Sequence, residues 1–188
     1  MFGKIWGDAN NAELMQLPSG SLYLVRPGSS IKGSRECIYQ DAVATIRRTT
    51  TEHNYQLVIT RAYQEGEEGL LDGDEENDDD ERCFLIDEEL QFRASSTIAE
   101  PEADASGSAA GAGKSGAEAV TPTFLWKDVA NQSGDEDDLL EFVVDAKTVN
   151  PVTRSVFEVT FLQCVFERKY GRSHEDATDE DLEKLKYK

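Results

Sequence analysis

The sequence lacks the long apolar run that a membrane-spanning helix needs. A helix that crosses a bilayer requires about 20 consecutive apolar residues, and no stretch of the 188 residues approaches that length. The first residues, Met1 to Trp6, lack the apolar segment of a secretory signal. Phe2 stands where N-myristoylation requires a glycine. A cytoplasmic or nucleocytoplasmic location is therefore expected.

Cysteine and histidine are scarce, which argues against a disulfide framework, a metal site and nucleophilic catalysis. The three cysteines, Cys37, Cys83 and Cys164, lie far apart and form no CxxC motif. Each has apolar neighbours, so we expect all three to be small core residues. The two histidines, His53 and His174, fall in predicted surface turns. No catalytic residue, metal or cofactor is expected.

Basic residues are outnumbered, since 19 bases face 38 acids and the formal net charge is −19. Such a field repels phosphate groups, so we expect no binding to nucleic acid and only weak contact with membranes. Eleven acids and no base fall in residues 65–81. This segment, and the Ala/Gly/Ser-rich residues 100–121, are predicted to be disordered loops.

Two motifs that suggest ligand sites are incomplete. Residues 111–115, Gly-Ala-Gly-Lys-Ser, match the end of a phosphate-binding loop, but Ser108 stands where its first glycine belongs. Acids alternate from Asp72 to Asp80 as calcium-loop ligands do, but Asn77 replaces the central glycine. Neither motif predicts a site.

Short β-rich runs separated by turn residues predict an antiparallel sheet that curls or closes. The predicted strands, about seven in all, are 21–26, 35–48, 55–63, 82–86, 90–93, 124–127 and 139–145. Before them, Asp8 is expected to cap a short helix over Ala9–Gln16, and Pro18-Ser19-Gly20 is expected to break the chain.

After Pro151 the apolar period becomes helical, with Thr153 as the expected cap and Gly171 as the expected end. One apolar arc can close the barrel and contains Phe157, Phe161, Cys164 and Val165. A second arc contains Val159, Leu162, Phe166 and Tyr170. A further short helix is expected after Thr178, with Asp181 completing a capping box.

The second arc needs a cover of its own. The N-terminal segment, with Phe2, Ile5 and Trp6, is one candidate for that cover. Another chain or domain is the alternative, and it makes the four residues of the second arc the predicted partner-binding surface.

The strand order followed by one helix resembles the pleckstrin-homology-like superfold. Several strings are similar to the N-terminal domain of the fungal vacuolar import and degradation protein 27 family. They are LPSGSLYLVRP at 17–27, DAVATIRR at 41–48, YQLVITRAY at 55–63, FLIDE at 84–88, FLWKD at 124–128 and FERKY at 166–170. The implied fold is mainly β (α+β), an antiparallel barrel of about seven strands closed by a C-terminal helix.

The resemblance also implies a division of the chain and a longer parent protein. Residues 1–20 would be a cover segment, 21–170 a pleckstrin-homology-like domain and 171–188 a short acidic helix or linker. In the family this domain precedes a second domain of the same superfold and a β-propeller. The family name implies a link to vacuolar import and degradation, and it supplies no catalytic motif.

Three bases, Arg26, Lys32 and Arg35, flank the loop after the first predicted strand. Lipid-binding members of the superfold place their phosphate-binding bases in this loop, although the usual Lys…Arg-x-Arg spacing is absent here. Phosphoinositide binding is therefore one alternative function. The other interpretation is that these bases neutralise acids of the same chain.

The predicted function is a non-catalytic protein-interaction module, monomeric as an isolated domain. Its partner would be another protein or further domains of the parent chain. A third hypothesis is an acidic, chaperone-like binder of a basic protein that acts through residues 65–81.

Overall fold

The computed structural model describes residues 13–26, 35–62, 80–98, 120–129 and 138–186. Its strands and α-helices are β1 (Glu13–Val25), β2 (Arg35–Arg48), β3 (Tyr55–Arg61), β4 (Glu81–Leu85), β5 (Arg93–Ile98), β6 (Val120–Lys127), β7 (Leu139–Val144), α1 (Pro151–Tyr170) and α2 (Asp179–Leu185). Most of the predicted loops 65–81 and 100–121 lies outside these ranges, but Glu81 belongs to β4, and residues 120–121 belong to β6. Within the described ranges, no helix is long and apolar enough to cross a membrane.

The strands form one antiparallel sheet in the order β4-β3-β2-β1-β7-β6-β5. The centroid of the Phe84 ring on β4 lies 5.7 Å from that of the Trp126 ring on β6, although β4 and β6 stand near opposite ends of that order. The sheet is therefore strongly curled. No ladder joins β4 to β5 in the part of the chain that the structure describes. The mainly β class with a C-terminal helix is confirmed, whereas barrel closure and the pleckstrin-homology-like superfold stay predictions.

Helix α1 closes one side of the curled sheet with aromatic side chains. The Phe161 ring stacks on Phe92 with centroids 3.7 Å apart, and the Phe157 ring lies 5.4 Å from Phe124. All four residues of the first predicted arc are buried, which confirms that arc as the core-facing side of the helix.

The N-terminal part of β1 corrects two predictions. Residues 13–16 are extended, so the helix predicted over Ala9–Gln16 is wrong there, while residues 9–12 lie outside the described ranges. The chain also continues as a strand through Pro18-Ser19-Gly20, where the pairing with β2 shifts register. Burial of Leu17 and Leu22 in the sheet core outweighs the local cap and turn signals.

The segment between β4 and β5 corrects a third prediction. The strand expected over 90–93 is replaced by a 3-10 helix, Glu88–Leu90, whose first turn is capped by the carboxylate of Asp87. Gln91 then adopts a left-handed conformation with φ 51°, and β5 begins only at Arg93. Leu90 and Phe92 are both buried, and their spacing of two residues is also that of a half-buried strand, which explains the wrong prediction.

The ends of α1 agree with the prediction at one terminus only. Asn150, not Thr153, is the N-cap, and its side-chain oxygen accepts a hydrogen bond from the Thr153 N–H at 2.8 Å. Pro151 then occupies the first helical position, where its missing N–H costs nothing. Gly171 ends the helix with φ 63°, as expected. The capping box of Thr178 and Asp181 on α2 is also confirmed.

Two of the three cysteines are not core residues. Cys164 is buried as predicted, but Cys37 and Cys83 are exposed. Cys83 alternates with buried Phe84 and so points to the opposite side of β4. Cys37 lies near the start of β2, before the first buried residue, Tyr39.

The turn between β7 and α1 is tied to β1 by Asp145. Its Oδ2 accepts hydrogen bonds from Ser19 Oγ at 3.1 Å and Thr148 Oγ1 at 2.7 Å, and its Oδ1 accepts one from the Lys147 N–H at 3.0 Å. The bond from Thr148 is the largest of the causes that lower the pKa of this carboxyl. One carboxylate thus fixes both β1 at its register shift and the turn that leads into α1.

Gly20 should tolerate no side chain. A Cβ atom there would lie 2.5 Å from Cε1 and Cζ of Phe142 and 2.6 Å from the carbonyl oxygen of Val143. We expect Gly20→Ala to lower the free energy of unfolding by about 1–3 kcal/mol, the usual cost of overpacking. Urea unfolding checks this, with exposed Leu14→Ala as the control. Equal midpoints for wild type and Gly20→Ala would contradict the expected clash.

The lowered pKa of Asp145 predicts a pH dependence with a definite sign. Its stabilisation is complete above the unfolded-state pKa of about 3.9 and is lost as the pH falls through the lower folded-state pKa. Asp145→Asn should therefore lose stability at pH 6 and approach the wild type as the pH falls below 4. Urea midpoints at pH 6, 4 and 3 measure this, and a constant gap across the three values would refute it.

Candidate functional site

The four residues of the second predicted arc fall into two environments. Val159 and Tyr170 are 44% and 51% exposed, whereas Leu162 and Phe166 are 4% and 1% exposed. The partner-binding role of this arc stays a prediction. In the conformation described, only Val159 and Tyr170 offer a surface to a partner.

The C-terminal segment covers the buried half of that arc. Leu162 and Leu185 line the same small cavity of about 210 Å³ between α1 and α2. The guanidinium carbon of Arg172 lies 5.3 Å from the centroid of the Phe166 ring. The N-terminal residues Phe2, Ile5 and Trp6, proposed as the cover, lie outside the described ranges. At least part of the missing cover is therefore α2 and the segment that leads to it.

The N-terminal half of α1 carries an exposed apolar patch. Val152, Val156 and Val159 are 71%, 45% and 44% exposed, and their i, i+4, i+7 spacing aligns them along one side of the helix. We call these three residues the valine patch. Sequence reasoning identified only Val159, although the same spacing pointed to all three.

A buried carboxylate connects α1 with two distant turns. Glu167 is 6% exposed, and its Oε1 lies 3.6 Å from Nδ1 of His53 and 3.8 Å from Nδ1 of His174. The Tyr55 hydroxyl is hydrogen-bonded to the same carboxylate. Burial first, and then this bond to Glu167, raise the pKa of Tyr55, so its hydroxyl stays protonated. We call these four residues the Glu167 cluster.

The Glu167 cluster is suited to holding the fold together rather than to chemistry. His53 belongs to the β2–β3 turn and His174 to the short 3-10 helix after α1, so the cluster joins three segments of the chain. The nearby thiol of Cys164 has its pKa raised by burial, which leaves it a poor nucleophile. Within the described ranges, no group of three or more His, Cys, Asp or Glu side chains is arranged to hold a metal ion.

The predicted phosphate-binding bases are paired with acids of this chain. Arg26 Nη2 lies 2.6 Å from Glu36 Oε2, and Arg35 Nη2 lies 2.6 Å from Glu141 Oε1. The Arg35 guanidinium also lies over the Tyr23 ring, 3.9 Å from its centroid. Lys32 is outside the described residues. These pairs favour the second interpretation of the bases, that they neutralise the chain's own acids.

A cleft lies between the edge of the sheet and α1. Its volume is about 420 Å³. It is lined by Ala94, Ser95 and Ser96 of β5, by Val120, Pro122, Thr123 and Phe124 of β6, and by Arg154, Ser155 and Glu158 of α1. We call it the β5–α1 cleft. The size of this cleft depends on the separation between β5 and α1, which are distant in sequence, so no local sequence pattern predicts the cleft.

Comparison with known families assigns the chain. Residues 1–186 match the family described as the VID27 N-terminal region. The chain belongs to this family. The resemblance recognised in its sequence is thereby confirmed, and no solved structure matches this VID27 N-terminal region.

Two curated relatives carry the name vacuolar import and degradation protein 27. The protein of Schizosaccharomyces pombe is 40% identical over 181 residues, which cover 96% of this chain and 19% of the relative. The protein of Saccharomyces cerevisiae is 28% identical over 193 residues, which cover 98% of this chain and 22% of the relative. The chain thus spans about a fifth of the length of these relatives.

Removing the charge of Glu167 should loosen the segments that the cluster joins. In Glu167→Gln we expect backbone amides of Asn54, Asp176 and Ala177, which close turns beside the two histidines, to exchange about tenfold faster. Hydrogen exchange followed by NMR measures this, with exposed Glu180→Gln as the matched control. Unchanged exchange at these three amides would show that the cluster does not hold the segments.

Proposed function

We propose that this VID27 N-terminal region is a non-catalytic protein-interaction domain. It would serve the process of vacuolar import and degradation after which its relatives are named. The observation that carries the proposal is the valine patch, three adjacent apolar side chains left in solvent on the N-terminal half of a helix whose other side is buried. Contiguous exposed apolar surface of this kind marks protein contacts more often than scattered single residues do.

The valine patch does not help to hold the domain together. The core contacts of α1 come from the opposite side, through Phe157 and Phe161. The helix therefore presents its valines on a rigid support, which lowers the entropic cost of binding. Full burial by a partner would gain about 1–2 kcal/mol for Val152 and about 0.7–1.4 kcal/mol for each of the half-exposed Val156 and Val159.

Polar residues border the valine patch, as they do around the centre of many protein interfaces. Ser155 is exposed, and Thr160 and Gln163 are partly exposed, beside it on α1. A partner surface with an apolar centre and a polar rim would fit this arrangement. Further domains of a longer parent protein and separate proteins could both supply such a surface.

The other two hypotheses gain less support from the described residues. Arg26 and Arg35 are already paired with Glu36 and Glu141, so phosphoinositide binding would have to break contacts within the domain. A binder of basic proteins would act through residues 65–81, most of which lie outside the described ranges.

The proposal predicts that charges in the valine patch abolish binding and leave the fold intact. In Val156→Asp/Val159→Asp we expect capture of partner proteins from S. pombe extract to fall at least about tenfold, since burial of two valines is lost. The thermal midpoint should change little, because both side chains are about half exposed. Quantitative mass spectrometry of the captured proteins and circular dichroism provide the two measurements.

The matched control is Val129→Asp, which places the same charge on another exposed valine, 52% accessible and just after β6. It should capture as the wild type does. If the double variant unfolds, the patch belongs to the core. If it folds and captures normally, the patch is not the docking surface.

A further inference from the structure

We propose that the β5–α1 cleft binds an extended peptide segment of a partner protein, which adds to β5 as a further strand and places a carboxylate against Arg154. This inference rests on the proposed function and adds to it a second contact region and the chemistry of the segment that binds there.

The backbone of β5 is available for such pairing. Among the described residues, strand β5 pairs with β6 alone and stands at the end of the sheet. Ser96 lies opposite Pro122, which has no N–H, so this pair cannot exchange two hydrogen bonds. Because hydrogen-bonded and non-hydrogen-bonded pairs alternate, Ala94 and Ser96 direct their backbone N–H and C=O groups away from β6.

The two edges of the sheet differ in how they are protected. Edge strand β4 begins with Glu81 and Arg82, and charged side chains of this kind discourage pairing with other chains. The middle of β5 is Ala94-Ser95-Ser96, three small, uncharged and exposed residues. Small side chains leave the backbone within reach of an added strand, which must approach to about 4.8 Å. Of the two edges, β5 is the one suited to strand addition.

The cleft beside β5 can take side chains from the added strand. Its volume of about 420 Å³ falls within the usual range of ligand sites. The sheet side contributes apolar Phe124, and the helix side contributes small Ser155. Residues alternate sides along a strand, so every second side chain of the peptide would enter the cleft. Small or medium apolar side chains fit those positions best.

Charge in the cleft selects for a carboxylate. Glu158 Oε1 lies 4.0 Å from the ammonium group of Lys186, which also binds Glu183 Oε1 at 2.6 Å, so the charge of Glu158 is partly neutralised. The Arg154 side chain lines the same cleft and makes no hydrogen bond or ion pair with any part of the chain that the structure describes. A guanidinium group can donate two parallel hydrogen bonds to one carboxylate. An acidic side chain on the peptide would accept both hydrogen bonds from Arg154.

The experiment uses the whole 188-residue chain and a phage-displayed library of random dodecapeptides. We expect the selected peptides to share an aspartate or glutamate. Arg154→Glu should weaken their binding at least about tenfold, by loss of a charge-assisted pair. Exchange of the shared acid for lysine should restore binding to Arg154→Glu. Arg48→Glu, which alters an exposed arginine at the end of β2, is the matched control and should bind normally.

Backbone pairing is tested separately by N-methylation of a selected peptide. Methyl groups on alternate residues should abolish binding in one set of positions and be tolerated in the other, since only every second N–H faces β5. Circular dichroism checks that Arg154→Glu folds, and Arg154→Gln repeats the test without the added negative charge.

The inference is overturned if no dodecapeptide is selected, if Arg154 variants bind as the wild type does, or if N-methylation shows no alternation. Loss of capture in Val156→Asp/Val159→Asp together with any of these results would leave the interaction domain supported and only the cleft rejected. A different result is that peptide binding depends on Arg154 and on N-methylation as expected, while Val156→Asp/Val159→Asp captures proteins normally. This result would support the cleft and reject the valine patch as the docking surface.

Discussion

The packing of α1 against the curled sheet is the contact on which the rest of the structure depends. The sheet alone leaves one side of its core open, and the stacked pair of Phe161 and Phe92 fills that opening. Phe92 follows Gln91, whose backbone is left-handed. The irregular segment after β4 thereby places the Phe92 ring against the helix. The sheet holds one side of α1 and α2 covers part of the other, so exposed apolar surface remains on the N-terminal half, where the valine patch lies. Arg154 and Glu158, nearer the sheet, form one wall of the β5–α1 cleft.

The elements that sequence reasoning located well are those whose period reflects their own burial. Alternation in 55–63 gave β3 within two residues, and the helical period after Pro151 gave both the extent of α1 and its core-facing arc. The failures come from contacts distant in sequence. Residues 13–16 form a strand because β2 pairs with them, and no local signal reports that pairing.

The candidate surfaces also combine features that the local sequence shows with features that depend on contacts distant in sequence. The spacing of Val152, Val156 and Val159 is visible in the sequence, but their exposure depends on where α1 meets the sheet. The burial of Leu162 and Phe166 follows from the return of the chain through Arg172 and α2, which no hydrophobic period predicts. The partnership of Arg26 with Glu36 is equally invisible without coordinates, although their cross-strand proximity decides how the bases are used.

The position of β1 in the sheet has a consequence for synthesis of the protein. Its second half lies between β2 and β7, with Gly20 opposite both Ala42 and Val144, so the centre of the sheet joins the first described strand to the last. On the ribosome, β1 to β4 emerge long before β7, and until then the second half of β1 has an open edge. Closing so large a loop is slow. Until β7 has been translated, the backbone groups on this side of β1 can therefore pair with strands of other chains.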